Sequence, residues 1–533
     1  MPEAVLSRLR RVAAVLAVSV AAWAPALQAG TPLTPEQQAG RHLYLEGESA
    51  FGDAFTGRIG MGQQQLPGAA VRCGNCHGGD GRGRPEGGVR PGNITWSDLT
   101  KSYGHEHEDG RRHAAFDEAS LKRALVDGVD PAGHRLDGSM PRYQISARDW
   151  KALLAYMKVL EFQQDPGVGS DTLRIGTLLP ATGRFAGLGQ AVKGILQAHL
   201  DEINAGGGIH GRKLELVSAG YASEDRDAAV RELRKLVAQG DVFALLSPFA
   251  AGIEDELGRV ANEAGVPVLG PLSLFGDDPR TSNQQVFHLL SGVGELAEVL
   301  ALYVGREPKM KTLPAVLLHA QGEAGAALAE TVEQRLKGHG WGRLERLAFQ
   351  PGASDAAGLA RELKARGAEA VFLLGPGADV AALARQLADA GRAPYLLLPG
   401  PLAPRAVLEL PPAFEGRVLL AYPTVPADQK PDALRHYAAL FKGGALVPAH
   451  QTSQVPAYSS AVLLVETLKQ VGRDLTREKL VAALESVHGF EPGLVPAVSF
   501  TAGRRIGALG GYVVAVDLKG RNFRQLGGFL ALP

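Results

Sequence analysis

The sequence predicts a protein of two parts, a small all-α domain followed by an α/β domain built as two lobes. The chain has 533 residues, which exceeds one ordinary core, since domains typically run to about 100–200 residues. Its pattern also changes near residue 165, from short helical stretches joined by Gly-rich loops to alternating strand-like and helical runs. The second part is too long for one typical sheet, which favours two lobes.

The second part repeats a strand and a helix many times. Repeated units of this length predict parallel sheets with helices on both faces. The strand-like runs are Leu173–Leu179, Leu214–Ser218, Phe243–Ser247, Pro267–Leu269, Ala315–His319, Ala370–Gly375, Tyr395–Leu398 and Val418–Tyr422. The helical patterns between them include Ala186–Ala205, Ala228–Gln239, Glu254–Ala264, Gly322–His339, Ala356–Arg366 and Ala378–Gly391.

The charge balance excludes one class of partner. Lys plus Arg and Asp plus Glu both number 56, so the formal net charge is zero. A nucleic-acid-binding protein normally shows a basic excess or a basic stripe. We therefore expect no nucleic-acid partner.

Residues 1–29 have the pattern of a signal peptide that is cleaved after export. Arginines between positions 8 and 11 precede an apolar run, Val12–Trp23, and small residues follow up to Ala29. The alternative is an uncleaved membrane anchor, but the run falls short of the roughly 20 residues that span a bilayer. The pattern favours a periplasmic protein.

A break between the two parts is predicted at residues 164–171. Pro166, Gly167 and Gly169 interrupt regular structure there, and apolar periodicity is missing. The first domain would then span residues 32–163 and the second residues 172–533.

A haem attachment motif lies in the first domain. Cys73 and Cys76, which are the two cysteines of the chain, are followed directly by His77 in a C-x-x-C-H pattern. Two thiols at this spacing can each bond a haem vinyl group while the histidine ligates the iron. A zinc site would need further ligands, and a thioredoxin-like pair would follow a strand. The motif therefore predicts one covalently attached haem c.

A sixth iron ligand is predicted at Met140. It lies in a loop that Pro141 holds extended, ahead of a helical pattern. A thioether ligand stabilises reduced iron and raises its potential. Two alternatives are left open: Met140 could belong to the core, or a histidine could be the sixth ligand. The candidate histidines lie in a polar stretch, which favours their solvation. The candidate histidines are His105, His107, His113 and His134.

Residues 36–162 resemble a class I c-type cytochrome domain. The resemblance rests on a helix at Pro35–Leu45, the C-x-x-C-H motif, a helix at Asp117–Asp127, the segment Met140–Tyr143 and a C-terminal helix carrying Trp150 and Tyr156. It implies thioethers at Cys73 and Cys76, with His77 as proximal and Met140 as distal ligand. It also implies that the terminal helices cross and bury Leu43, Leu153 and Tyr156, and that the loop Arg90–Leu99 lines the haem.

Residues 172–533 resemble the type 1 periplasmic binding proteins, in particular the branched-chain amino-acid receptors of ABC importers. The most specific segment is Asn204–Gly211, a helix end, a Gly-rich turn and the start of the next strand. Supporting segments are residues 174–183, 262–269 and 458–461. The resemblance implies two lobes that close on a small ligand, which lies at the carboxyl ends of strands.

Several positions differ from the residues that amino-acid-binding members of this family use, so the predicted ligand is not an amino acid. Ala251 and Gly252 stand where serines are expected, and Leu274 stands where a threonine is usual. An amine-binding carboxylate is also missing near residues 398–401. A zwitterion would be left poorly paired, so we expect a less charged, aromatic or alcohol-like ligand. The predicted cleft residues are Phe185, Phe249, Ala251, Leu272, Ser273 and Tyr458.

The sequence favours an electron carrier and ligand-binding protein over an enzyme. Motifs of hydrolases, phosphate-binding loops and zinc proteases are missing, and His199 and His288 have the pattern of packing residues with satisfied rings. Expected partners are a small molecule and a periplasmic dehydrogenase or another cytochrome. The alternatives are an ABC-importer receptor, with a permease as partner and an accessory redox-sensing haem, and an enzyme whose haem has an open sixth position.

Overall fold

The computed structural model describes residues 33–60, 64–83, 91–107, 110–274, 283–352, 355–442, 446 and 448–533. The described residues form two compact units, which divide between residues 164 and 165. The predicted signal peptide lies outside the described residues. Among those that are described, no helix combines the length and the apolar character that crossing a membrane requires.

The core of the first unit is helical. Its helices are α1 (Pro35–Glu46), α2 (Cys73–His77), α3 (Trp96–Leu99), α4 (Glu118–Asp127) and α5 (Ala147–Met157). Capping fixes where they begin, because the Thr34 and Asp117 side chains accept hydrogen bonds from the first turns of α1 and α4. The predicted helices of this domain are therefore confirmed, with ends that differ by a few residues.

Helices α1 and α5 cross in close contact. A Cβ atom on Gly40 would lie 2.0 Å from the carbonyl oxygen of Ala152, so only glycine permits this approach. Leu43, Leu153 and Tyr156 are at most 1% exposed, which confirms the predicted crossing.

Short strands that the sequence analysis did not predict complete the first unit. The strands are β1 (Thr56–Ile59), β2 (Gln64–Pro67), β3 (His105–Glu106), β4 (Arg112–His113) and β5 (Arg142–Gln144). Strand β1 pairs antiparallel with both β2 and β5, and β3 pairs with β4. Because β5 begins two residues after Met140, this sheet fixes the backbone that carries the predicted sixth ligand.

The second unit contains two sheets, one in each lobe. The strands are β6 (Thr172–Thr182), β7 (Lys213–Ala222), β8 (Ala244–Leu246), β9 (Val268–Leu269), β10 (Val286–Leu290), β11 (Ala315–Ala320), β12 (Leu344–Phe349), β13 (Ala370–Leu374), β14 (Tyr395–Pro399), β15 (Val418–Tyr422), β16 (Ile506–Ala508), β17 (Gly510–Asp517), β18 (Asn522–Gln525) and β19 (Leu530–Ala531). The first lobe's order is β16-β10-β9-β8-β6-β7, and the second lobe's is β12-β11-β13-β14-β15-β17-β18, with β19 beside β17.

Helices cover these sheets as the repeated units predict. They are α6 (Ala186–Ala205), α7 (Arg226–Gln239), α8 (Glu254–Ala264), α9 (Val293–Gly305), α10 (Glu323–Gly338), α11 (Ala356–Ala365), α12 (Val380–Asp389), α13 (Pro431–Ala439), α14 (Gln451–Val471) and α15 (Arg477–Glu485). Every predicted strand-like run falls on an observed strand, and the pairing is parallel except around β17 to β19. Two lobes of parallel α/β structure are thus confirmed.

The segment predicted as a linker makes hydrogen bonds within the second unit. The backbone N–H of Gly167 donates to Asp241 (2.8 Å), and the Arg212 guanidinium donates to the carbonyl of Gly169 (2.7 Å). The Asp165 carboxylate accepts from the backbone N–H of Arg477 (2.6 Å). These bonds satisfy the backbone groups that Pro and Gly leave outside regular structure, and they place residues 165–171 with the second unit.

Candidate haem site and ligand cleft

The C-x-x-C-H motif forms a single helical turn, α2. On a helix, residues three and four apart share a face, so Cys73, Cys76 and His77 are close neighbours. Both thiols are free, with Cys73 buried and Cys76 exposed. Burial raises the pKa of the Cys73 thiol to about 11, and a hydrogen bond with Tyr143 opposes that rise.

The imidazole of His77 is oriented by a backbone carbonyl. Its Nδ1 atom lies 2.9 Å from the carbonyl oxygen of Gly92. A carbonyl can only accept, so Nδ1 carries the hydrogen and Nε2 keeps the lone pair that binds a metal. Burial lowers the pKa of His77, which keeps the ring neutral, while the Gly92 carbonyl opposes this effect.

The loop that carries Gly92 is held against the end of the motif. Ile94 donates its N–H to the carbonyl of Gly81 (2.7 Å), and Gly83 donates to the carbonyl of His77 (2.9 Å). Ile94 and Trp96 from this loop pack on the core that contains Cys73. The loop predicted to line the haem therefore does contact the motif, although Arg90 lies outside the described residues.

The donor set and its surroundings fit a covalently attached haem. Two free thiols stand beside an imidazole whose Nε2 is available, and the nearby half-buried side chains are apolar. The half-buried apolar side chains around this core include Leu66, Ile94, Trp96, Phe116, Met140, Ile145 and Trp150.

Met140 is half-buried and packs on the same core as Cys73. The guanidinium of Arg142 donates to the carbonyl oxygens of Met140 (2.5 Å), Leu136 (2.8 Å) and Asp137 (3.1 Å). These three hydrogen bonds fix the backbone of the loop, and none of them involves the Met140 thioether. Ligation of iron by Met140 stays a prediction that this geometry favours.

The competing histidines have partners of their own. The Nε2 atoms of His107 and His113 lie 2.9 Å apart, and the rings of His105 and His113 stack with centroids 4.7 Å apart. Nδ1 of His134 lies 2.9 Å from the Asp130 carboxylate. The expectation that all are solvated is wrong for His113, which is 8% exposed because it packs against Phe116.

Five of the six predicted cleft residues lie at one edge of the first lobe's sheet. The rings of Phe185 and Phe249 lie 5.6 Å apart, and Phe249 pairs with Leu272 in a parallel bridge. Ala251 and Ser273 follow in the same two loops, which leave the carboxyl ends of β8 and β9. This is the position where open α/β sheets bind ligands.

A carboxylate that the sequence analysis missed lies between these two loops. Oε2 of Glu254 accepts a hydrogen bond from the backbone N–H of Gly252 (2.7 Å). Burial raises the pKa of Glu254, and hydrogen bonds from the backbones of Gly252 and Leu274 oppose that rise. Oε1 is buried without a hydrogen-bond partner among the described residues. Its place in the first turn of α8 was the available signal, since acidic side chains favour helix N-termini.

The structure places Tyr458 apart from the phenylalanine pair. It lies on α14, 3% exposed, with its ring 5.1 Å from His199 and 5.2 Å from Tyr437. Two residues further on, Ser460 faces the cleft loop, because a Cβ on Gly270 would lie 1.9 Å from its Oγ. Residues two apart on a helix point about 200° apart, so Tyr458 points away from that loop.

Fold and sites together define a c-type cytochrome module followed by a two-lobed solute-binding module. Comparison with known families agrees with this class. Residues 172–521 match the periplasmic binding protein family and residues 62–161 match the cytochrome c family. The chain belongs to the periplasmic binding protein family and carries a cytochrome c domain, whose cofactor is covalently attached haem c.

Individual relatives resemble the second unit. A Leu/Ile/Val-binding protein homologue from Brucella melitensis is 31% identical over 219 residues, which is 41% of this chain and 58% of that protein. The match therefore spans less than two thirds of that relative.

Solved structures share the fold at lower identity. A leucine-binding protein from Thermotoga maritima is 18% identical, with a TM-score of 0.54, covering 67% of this chain and 98% of that one. A fatty acid ABC transporter substrate-binding protein from Thermomonospora curvata is 17% identical, also with a TM-score of 0.54, covering 69% of this chain and 95% of that one.

Proposed function

We propose that the protein is an exported monohaem cytochrome that transfers single electrons and binds a small, uncharged ligand in its second unit. One haem per chain follows from the cysteines, because the chain has two and both belong to the one C-x-x-C-H motif. The signal-like sequence at residues 1–29 and the two families support the periplasm as its location.

The first unit supplies the electron-transfer site. Haem c provides one-electron Fe(III)/Fe(II) chemistry. The chain's own residues orient the ligands: Gly92 fixes the tautomer of His77, and Arg142 fixes the loop that carries Met140. If His77 and Met140 both held the iron, substrate would have no open site there, so the proposal includes no haem-centred catalysis.

The position of Glu254 carries the proposal of an uncharged ligand. Its carboxylate accepts the hydrogen bond that the backbone N–H of Gly252 could otherwise donate to a ligand. The family resemblance implies that amino-acid-binding members hold the ligand's carboxylate in this loop. Two carboxylates about 4 Å apart repel by about 4 kcal/mol at an effective dielectric constant near 20. The phenylalanine pair supplies an apolar wall, and the unpaired Oε1 of Glu254 can accept from a ligand hydroxyl. An aromatic or aliphatic alcohol meets these conditions.

Calorimetry on the haem-loaded full chain tests the ligand class. Benzyl alcohol is the probe, and L-leucine is the comparison. We expect benzyl alcohol to bind and Phe249→Ala to weaken that binding at least tenfold, while L-leucine shows no binding below about 1 mM. Micromolar binding of L-leucine would exclude the proposal. So would an affinity for benzyl alcohol that is the same in the wild type and in Phe249→Ala.

The proposed electron partner is a periplasmic dehydrogenase or another cytochrome. The fusion of a binding domain with a haem suggests a dehydrogenase whose substrate or product is the bound molecule. Stopped-flow reduction of the haem by periplasmic quinoprotein alcohol dehydrogenase is the direct test. A rate no faster than that of a cytochrome lacking the second unit would reject the link.

An importer receptor with a redox-sensing haem is the second candidate function. The names of the Brucella melitensis and Thermotoga maritima relatives favour it. In that case the chain would bind L-leucine and associate with an ABC permease, and leucine affinity would differ between oxidised and reduced protein if the haem senses redox state. The calorimetric comparison above separates the two functions.

A further inference from the structure

Two histidines and a glutamate converge on the first lobe, away from the phenylalanine pair. His199 and Glu202 lie one turn apart on α6, and His436 lies on α13. Oε2 of Glu202 is 2.9 Å from Nε2 of His436 and 3.7 Å from Nδ1 of His199. One donor atom from each of the three residues lies within 4.8 Å of the other two. The Glu202 carboxylate therefore stands between two imidazoles.

The imidazole of His199 is buried and unsatisfied. The residue is 4% exposed, and neither ring nitrogen has a hydrogen-bond partner among the described residues. The apolar pattern around His199 predicts a packing residue with a satisfied ring, and the second part of that prediction is wrong. Leaving a buried polar group unpaired costs about 1–3 kcal/mol. A ligand that binds an imidazole nitrogen would remove this cost.

The donor set indicates the chemistry of that ligand. Two imidazoles with one carboxylate are typical of first-row transition metals, and Zn²⁺ accepts such a set in a tetrahedron that leaves one position for water. Alkaline-earth ions prefer all-oxygen sites.

We propose that His199, Glu202 and His436 form a binding site for a divalent transition-metal ion, with Zn²⁺ as the physiological class of ligand. Both His199 and Glu202 belong to α6, whereas His436 comes from α13, so the ion would fasten one helix to the other. This site is independent of the haem, whose iron ligands lie in the other unit, and independent of the identity of the cleft ligand.

Calorimetric titration of Zn²⁺ into the untagged, haem-loaded full chain tests the site. We expect one zinc ion per chain. His436→Ala and Glu202→Gln change exposed residues, so both variants should fold, and each should weaken zinc binding by at least about tenfold. The matched control is His488→Ala, because His488 is an exposed histidine of the same unit whose Nδ1 contacts the carbonyl of Ser486. It should leave zinc affinity unchanged.

X-ray absorption at the zinc edge identifies the ligands without interference from haem iron. The wild-type spectrum should fit two imidazoles, and the spectrum of His436→Ala should fit at most one. Absence of zinc binding would overturn the proposal. So would binding that survives either variant with full affinity, or an equal loss in the His488→Ala control, since each result would place the ion elsewhere, for example at the His107–His113 pair.

Discussion

The Nδ1 atom of His77 lies 2.9 Å from the carbonyl oxygen of Gly92, fifteen residues downstream. A backbone carbonyl thus decides which imidazole nitrogen is free for iron, and a side-chain substitution cannot remove it directly. Hydrogen bonds of this kind orient a metal-ligating histidine and raise its basicity. The loop at residues 91–99 is therefore part of the haem site, although it contributes no iron ligand.

Replacing Met140 by histidine should lower the reduction potential of the haem. Imidazole stabilises oxidised iron better than a thioether does, and a fall of roughly 0.1–0.3 V lies within the ~0.8 V range that axial ligands span. Potentiometric titration measures the shift, and the absorption band of Met–iron ligation in the oxidised protein should vanish.

Met157→Leu provides the matched control for that experiment. Met157 is a buried methionine of α5 in the same unit, and leucine nearly conserves its volume. The haem of the Met157→Leu variant should keep the reduction potential and the Met–iron band of the wild type. If Met140→His kept the band while Met157→Leu lost it, the ligand assignment would be wrong.

Gly40→Ala should destabilise the cytochrome domain by about 1–3 kcal/mol. The added methyl group would lie 2.0 Å from the backbone oxygen of Ala152, so α1 and α5 would have to separate. Thermal unfolding followed at the haem absorption band reports on this unit alone. Gly138→Ala, where nothing lies within 4 Å of the added group, should change stability by no more than about 0.5 kcal/mol. Equal stability of the two variants would contradict the close crossing.

The second unit should lose stability as the pH falls below about 6.5. Burial of His288 lowers its pKa from 6.5 to about 4, so in this range the unfolded chain binds a proton that the folded chain does not. The free energy of unfolding then falls between pH 6.5 and pH 4, by up to about 3 kcal/mol.

His288→Leu should flatten this dependence, which urea unfolding followed by circular dichroism would show. The exposed His488 supplies the control, and His488→Leu should keep the wild-type slope. A slope that His288→Leu leaves intact would assign the acid sensitivity to other groups.

Removing the carboxylate of Glu254 should allow the second unit to bind an amino acid. Glu254→Ala frees the N–H of Gly252 and removes the repulsion of a ligand carboxylate. We expect the affinity for L-leucine to rise at least tenfold, as measured by calorimetry. Asp255→Asn removes an exposed negative charge from the same helical turn and should have no such effect. A gain in both variants would point to net charge instead of the occupied amide.

The α/β fold could be predicted because its buried strands are continuous apolar runs. Such a run can be recognised in the sequence without knowing which strands pair with it. The strands that were missed lack this pattern. Strand β10 carries the buried His288 inside an apolar run, and β12 alternates poorly because it is an exposed edge strand. Helix α9 is buried on nearly all sides, so its sequence has no amphipathic period. The two- to four-residue strands of the first unit are too short for any period to show.

The haem motif could be predicted because its chemistry is local in sequence, within five consecutive residues. The contacts that define the remaining sites depend on tertiary structure. Glu254 bonds an amide only two residues away, but its burial beside the loop of Leu274 depends on the fold, and His436 meets Glu202 across more than two hundred residues. The packing of Tyr458 on His199 and Tyr437 has the same origin, since the neighbours of a helical residue depend on how the helix is rotated.

The boundary between residues 164 and 165 has a consequence for stoichiometry. With the single covalent haem proposed above, every copy of the protein would carry one redox centre and one binding domain at any dilution, because one peptide chain holds both units. Haem absorbance would then count binding domains directly. Ligand occupancy and redox state can be compared molecule for molecule, without correction for dissociation of a complex.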